Sequence, residues 1–306
     1  MKPAFSVIFF TVGSGAGLGL FSLLVLADLF GGNGAGMAPF SLLPGLTALA
    51  LVAGGLFAST FHLARPKNAW RALGHFRTSW LSREGVFAAL FFPPAIAYLA
   101  LGWLATAPLL RLFGGIVALL LAWATIYSTG MIYACLKTIR QWHSPLVPAL
   151  YLVLAHSSGA LLFCFLMAVV GAAAPAHLGL TLGALALGAL LKAIYYVWIA
   201  RPAVGPSPNT ATGLARSTVR LLDTGHSHGN FVSREFGFVL APDRAGRLKA
   251  LVFLFAFALP GLLIASGSPA AGALAVVCGF AGLLLERWLF FAEARHVVRL
   301  YHGLAT

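Results

Sequence analysis

FSVIFFTVGSGAGLGLFSLLVLADLF, residues Phe5–Phe30, is apolar almost throughout and carries one ionisable side chain, Asp28. A helix needs roughly 20 apolar residues to cross the hydrocarbon core of a bilayer, and this run has them. A signal peptide has a shorter apolar core followed by a small-residue cleavage site, so the run is expected to be a retained first transmembrane helix. Its glycines, Gly13, Gly15, Gly17 and Gly19, do not form a dinucleotide-binding fingerprint, because no strand precedes them. Small residues spaced by four instead let two membrane helices approach closely.

Outward from this run the pattern repeats. Only 9% of the 306 residues are charged and 60% are hydrophobic, with a mean hydropathy of +0.92. So few charges cannot cover a soluble surface, and the chain is an all-α integral membrane protein. Eight spans are expected, at 5–30, 41–63, 84–106, 112–134, 148–171, 177–199, 250–267 and 270–292. A β-barrel would show alternating segments of about 10 residues, and other irregular backbone is excluded from lipid by its unpaired polar groups. The cysteines, Cys135, Cys164 and Cys278, are isolated. Without a CxxC pair the chain is not expected to hold its own iron–sulfur cluster or structural zinc.

The net charge of +13 reports orientation and docking rather than nucleic acid. With eight spans, every one of the 20 Lys and Arg residues except Arg111 and Lys192 falls at one face, the face of both termini. The positive-inside rule makes that face cytoplasmic. The long sixth loop, 201–249, belongs to it. Two short matches point to a single membrane domain, 1–306, built as two parallel four-helix halves, 1–147 and 148–306. Leu63-Ala64-Arg65-Pro66 parallels Ile199-Ala200-Arg201-Pro202, and Ser82-Arg83-Glu84-Gly85 parallels Ser233-Arg234-Glu235-Phe236-Gly237.

Ionisable groups within a bilayer are expensive and are functional candidates by default. Glu84 opens the third span; it also fits a helix N-terminal acid favoured by the dipole, with Ser82 as a cap. Glu286 lies within the eighth span beside Arg287, and a structural ion pair is its alternative. His62 ends the second span and His156 sits midway along the fifth. A membrane b-haem needs two facing histidines at similar depth, which this pair does not supply, so no haem is expected. His156 reads as a packed residue hydrogen-bonding across helices, and His226 and His228 as solvated loop residues.

His62, Glu84 and Glu286 share one membrane face with nearly all the positive charge. That combination suits a quinol or quinone, whose apolar tail lies in lipid and whose ring exchanges two electrons and two protons. Such a ring needs a histidine or carboxylate within hydrogen-bond reach, and an electron carrier that a partner docked on the basic face would supply.

Phe61-His62-Leu63-Ala64-Arg65-Pro66 and Ser79-Trp80-Leu81-Ser82-Arg83-Glu84 resemble the membrane anchor subunit of dimethyl sulfoxide reductase. That family ends its second helix with His-Leu-Gly-x-Pro and opens its third with Ser-x-Glu; here Ala64 replaces the glycine. Leu285-Glu286-Arg287-Trp288-Leu289-Phe290-Phe291 is a looser match to the family's eighth-helix segment. The resemblance implies a haem-free anchor in the bacterial inner membrane, holding a molybdopterin catalytic subunit and a four-cluster ferredoxin-like iron–sulfur subunit. It also implies menaquinol or ubiquinol exchange near His62 and Glu84. FSVIFFT and Met131-Ile132-Tyr133-Ala134 are similar to a subgroup accompanying sulfite-oxidising molybdoenzymes, in which electrons run into quinone. Arg65, Arg71, Arg77 and Arg83 are then docking candidates for the iron–sulfur protein or for lipid phosphates; plain positive-inside topology is their alternative.

A second reading is a secondary transporter with an internal four-helix repeat, whose helices would break near Pro93-Pro94 and Pro260-Gly261. An intramembrane enzyme is disfavoured, since no intramembrane HExxH, GxSxG or paired aspartates occur.

Overall fold

The computed structural model of this chain describes residues 3–30, 40–61, 65–201, 207–214, 216–220, 222–223, 236–238 and 240–302. Eight helices in it are long and apolar enough to cross a membrane. They are α1 (Phe5–Phe30), α2 (Leu42–Thr60), α3 (Trp80–Trp103), α4 (Pro108–Ala134), α5 (Leu146–Val169), α6 (Pro175–Ala200), α7 (Pro242–Ala265) and α8 (Pro269–Ala292). An isolated antiparallel bridge, Ile139 to His296, ties the α4–α5 connection to the C-terminal segment.

The helix starts show what apolar-run counting misses. α3 begins four residues before the expected start and α7 eight residues before it, so the loop before α7 is shorter than 201–249 implies. In α7 the first two turns carry Pro242, Asp243, Arg244, Arg247 and Lys249. These residues form helix outside the hydrocarbon, where apolarity is not required. Pro242 occupies the first helical turn, where a missing N–H leaves no bond unmade. Ser79 precedes α3 in extended conformation and accepts from the Ser82 amide at 3.4 Å.

Two helices form the centre. α1 packs against α2, α4, α5 and α8, while α5 packs against α1, α4, α6 and α8. The α1 glycines divide by face. A Cβ at Gly17 would lie 2.6 Å from the carbonyl oxygen of Ala48 on α2, and Gly13 faces Leu51 and Gly55 of the same helix. Gly15 and Gly19 face Ala155 on α5, where Gly159 in turn meets the backbone of Gly19 and Leu20. One ladder of alternating glycines therefore serves two interfaces, each with small residues at a spacing of four.

The internal prolines do not unwind their helices. α3 runs continuously through Pro93 and Pro94. α7 passes through a single π-helical turn, Leu254–Ala258, just before Pro260. Proline lacks an amide donor, and widening the preceding turn re-registers the ladder around the gap. Gly282 of α8 packs directly on the backbone of this turn at Phe255 and Ala256.

Candidate functional site

Glu84 and Glu286 both lie toward the basic end of the bundle, about one to two turns from the helix ends there. Glu84 lies in the second turn of α3 and is 3% exposed. Its carboxylate turns into the bundle and accepts a 2.5 Å hydrogen bond from the Thr129 hydroxyl of α4. The same hydroxyl is 3.0 Å from the Thr125 carbonyl oxygen, an alternative acceptor for its one proton.

Glu286 of α8 is fully buried and bound from two sides. Arg287 donates to it through Nε at 2.5 Å and Nη2 at 2.7 Å, and Lys192 of α6 donates to its Oε1. Two cations on one carboxylate leave a net positive cluster, which the surrounding rings soften. The Arg287 guanidinium lies 4.4 Å from the Tyr151 ring centre and 4.8 Å from that of Phe290. The Lys192 ammonium lies 4.4 Å from Tyr195 and 4.6 Å from Tyr196. Tyr151 stacks on Tyr133 of α4, with ring centres 5.8 Å apart.

Beside Glu286 lies a cavity of about 30 Å³ bounded by α1, α4, α5 and α8. Thr129, Tyr151, Glu286 and Arg287 all line it. Glu286 thus lines the cavity directly, while Glu84 is joined to its wall through Thr129. A larger apolar groove of about 380 Å³ opens at the same end between Phe5, Phe9, Leu248 and Trp288. It belongs to α1, α7 and α8, and Glu84 does not line it.

The remaining candidates separate. His62 lies outside the described residues, as do His226 and His228. Arg65, Arg71 and Arg77 are exposed in the connection between α2 and α3, which forms a 3₁₀ helix at Pro66–His75. Arg83 is committed locally: it donates to the carbonyl oxygens of Phe76 at 3.0 Å and Arg77 at 2.7 Å and covers Trp80 at 4.1 Å. Arg287, counted by sequence among the charges of the basic face, is 4% exposed. His156 uses both ring nitrogens. Its Nδ1 is 2.7 Å from the Leu152 carbonyl oxygen and its Nε2 accepts from Trp123 Nε1 at 3.0 Å, which places the proton on Nδ1. Among the described residues no group of three or more His, Cys, Asp or Glu side chains is arranged to hold a metal.

Sequence reading missed Lys192, Thr129 and Tyr151 as members of the site. A signal for Lys192 existed. A lone lysine inside a span needs an anionic partner at its own depth, and Glu286 is about as far from the end of α8 as Lys192 is from the end of α6. Thr129 and Tyr151 carry no comparable signal.

An eight-helix membrane bundle that gathers two buried acids and most of its cations toward one end has the layout of a membrane anchor for proteins docked there. Comparison with known proteins agrees: residues 1–292 match the family described as DMSO reductase anchor subunit (DmsC). The chain is also 35% identical to the C subunit of the sulfite dehydrogenase of Allochromatium vinosum, over 99% of this chain and 99% of that one. This chain belongs to the DMSO reductase anchor subunit family and is a multi-pass membrane anchor subunit.

Proposed function

We propose that this chain anchors a molybdopterin catalytic subunit and a four-cluster ferredoxin-like iron–sulfur subunit to the inner membrane of a bacterium. It exchanges electrons between the membrane quinone pool and the docked iron–sulfur subunit. The direction proposed is from the iron–sulfur partner into quinone, because the full-length relative at 35% identity is a sulfite dehydrogenase subunit. The electrons and clusters belong to the partners; this chain contributes binding, orientation and protons.

The observation that carries the reading is the position of Glu84. A carboxylate held off lipid at 3% exposure, at the end of the bundle where the basic loops lie, supports a role for Glu84 in proton exchange with a ring bound at that end. Quinone reduction consumes two electrons and two protons, and a carboxylic acid within hydrogen-bond reach supplies a proton to the ring oxygen. His62 is proposed as the hydrogen-bond partner of the other ring oxygen, and Glu286 as a proton relay behind Glu84. The exposed Arg65, Arg71 and Arg77 dock the iron–sulfur partner, while Arg83 holds the shape of the loop that presents them. The basic face is then cytoplasmic, with both termini on that side.

The test is purification of the tagged chain from its native membrane in mild detergent, followed by mass spectrometry and a quinone-coupled assay. Recovery of a molybdopterin subunit and a multi-cluster ferredoxin, with turnover lost in Glu84→Gln while the complex stays assembled, is the expected result. Recovery of the folded chain alone would remove the anchor reading, and normal quinone turnover in both Glu84→Gln and His62→Arg would remove the site.

A further inference from the structure

We propose that the cavity lined by Glu286 and Thr129 is a built water site, and that its water completes a buried proton path across the bundle to Glu84. The path runs from the Lys249–Glu293 pair at the surface, through Lys192 and Glu286, to Glu84. It deepens the preceding proposal and rests on Glu84 as the proton donor to quinone.

Two donors point to the water. The Tyr151 hydroxyl and Arg287 Nη1 are both fully buried, and among the described residues neither completes a hydrogen bond of good geometry although the two side chains lie against each other; both residues line the cavity. Buried donors in native proteins are satisfied by protein or by ordered water. An internal water needs about 10–15 Å³ and two to four polar partners. The cavity offers about 30 Å³. It offers acceptors too: Ser14 and Ser158 line it while their hydroxyl protons go to carbonyls of their own helices at 2.6 and 2.9 Å. One of their free lone pairs takes one proton of a water, whose other proton faces the Thr129 oxygen on the same cavity wall.

The remaining steps are carried by observed contacts. Lys249 and Glu293 pair at 2.6 Å with side chains 24% and 18% exposed, which puts Glu293 in reach of solvent. Lys192 bonds to Glu286, and its ammonium shares the Tyr196 ring with that of Lys249, at 4.6 and 4.8 Å from the ring centre. Across the cavity, the Thr129 hydroxyl bonds to Glu84.

Transfer toward quinone is then a chain of O–H and N–H exchanges. The Lys192 ammonium gives a proton to the Glu286 carboxylate. As the Tyr151 hydroxyl turns to free one lone pair of the water, Glu286 gives its proton to the water, and the water gives one of its own to the Thr129 oxygen. Thr129 releases its proton to the Glu84 carboxylate. The net change is one proton lost by Lys192 and one gained by Glu84; Lys192 is reprotonated from the solvent side, where the Lys249–Glu293 pair lies. Tyr151 and Arg287 are positioning residues that orient the water.

The test uses the intact complex in lipid nanodiscs. Infrared difference spectra identify the Glu84 carboxyl band as the one lost in Glu84→Gln, and its rate of exchange in heavy water is followed. Tyr151→Phe keeps the ring and its stack on Tyr133 but removes the hydroxyl; Thr129→Val cuts the path at its other end. Both variants are expected to slow exchange at Glu84. Both should also lower kcat at least about tenfold, short of the roughly hundredfold of a directly acting acid. KM for quinone stays unchanged and the solvent isotope effect increases. Wild-type exchange and wild-type kcat in both variants would overturn the path. Slowed exchange alongside normal quinone turnover in Glu84→Gln would keep the path and remove Glu84 as the quinone's donor.

Discussion

Arg111 of α4 and Asp28 of α1 form an ion pair of 2.6 Å with both side chains about 95% out of solvent, at the end of the bundle opposite the basic loops. Tyr98 of α3 completes the group. Its hydroxyl donates to Asp28 at 3.1 Å and accepts from Arg111 at 3.2 Å. Three helices are pinned at that end by one shared network, far from the candidate site.

Removing one member of a buried pair leaves the other charged and unpaired, which typically costs about 3–5 kcal/mol. Asp28→Ala is therefore expected to destabilise the bundle by that order while leaving the ligand chemistry at the basic end alone. Replacing both partners with apolar residues, Asp28→Leu with Arg111→Met, should recover most of the loss. Thermal unfolding of the purified complex reads both outcomes, and a double variant no better than Asp28→Ala would show that the network does not act as a unit.

The same reasoning applied to Lys192 and Glu286 predicts the opposite functional outcome. Lys192→Met leaves Glu286 paired one-to-one with Arg287, so stability should fall only by a lost charge-assisted hydrogen bond, about 1.5–3 kcal/mol. Proton-coupled turnover should fall with it. Equal stability and equal turnover in Lys192→Met would make the pair dispensable.

Gly19 and Gly179 make a matched pair of substitutions. A Cβ at Gly19 would run into the Ala155 carbonyl of α5, while nothing lies within 4 Å of one at Gly179. Gly19→Ala is expected to force the central α1–α5 contact apart and reduce the yield of folded protein. Gly179→Ala should be neutral or stabilise α6 by about 0.5–1 kcal/mol, the ordinary helix advantage of alanine over glycine. Detergent unfolding curves for the two variants should therefore shift in different directions.

Arg83 joins the loop carbonyls of Phe76 and Arg77 through two hydrogen bonds. Lysine cannot reproduce that fork. Arg83→Lys is expected to cost only about 1 kcal/mol, because the side chain is partly solvated, yet to loosen the Pro66–His75 segment. Faster tryptic cleavage at exposed Lys67 or Arg71, with a melting temperature lowered by only a few degrees, is the signature. Unchanged cleavage would show that the loop is held by other contacts.

The eight spans were legible because length and apolarity are what a bilayer demands, and both are properties of the linear chain. The bounds of α1 agree with the expectation to the residue, since apolar sequence and helix coincide there. They do not coincide in α7, whose polar first turns are helical outside the hydrocarbon. Prolines mislead in a similar way. Pro93-Pro94 and Pro260 read as breaks, yet the helices continue through them, because neighbouring turns can absorb a missing amide donor.

The candidate site was legible in part. Glu84 and Glu286 stood out as acids within apolar runs, but the direction in which each points did not. Glu84 was expected where the loop meets lipid; it turns instead toward Thr129 on α4, because the rotation of a helix is decided by packing against its neighbours. For Glu286 the ion-pair alternative is the one realised, with Lys192 added from α6.

The sequence by itself determined that this chain is an eight-span helical membrane protein, which end is basic, and which acids are out of place in lipid. Hydrophobic run length and charge count suffice for those, and neither depends on which helix lies beside which. Only the tertiary structure decided that the glycines of α1 serve two neighbours, that Arg287 and Lys192 share one carboxylate, and that Glu286 and the Thr129 bound to Glu84 line one small cavity. These depend on lateral packing in the membrane plane, where close approach of small residues and the need to satisfy every buried charge select one arrangement.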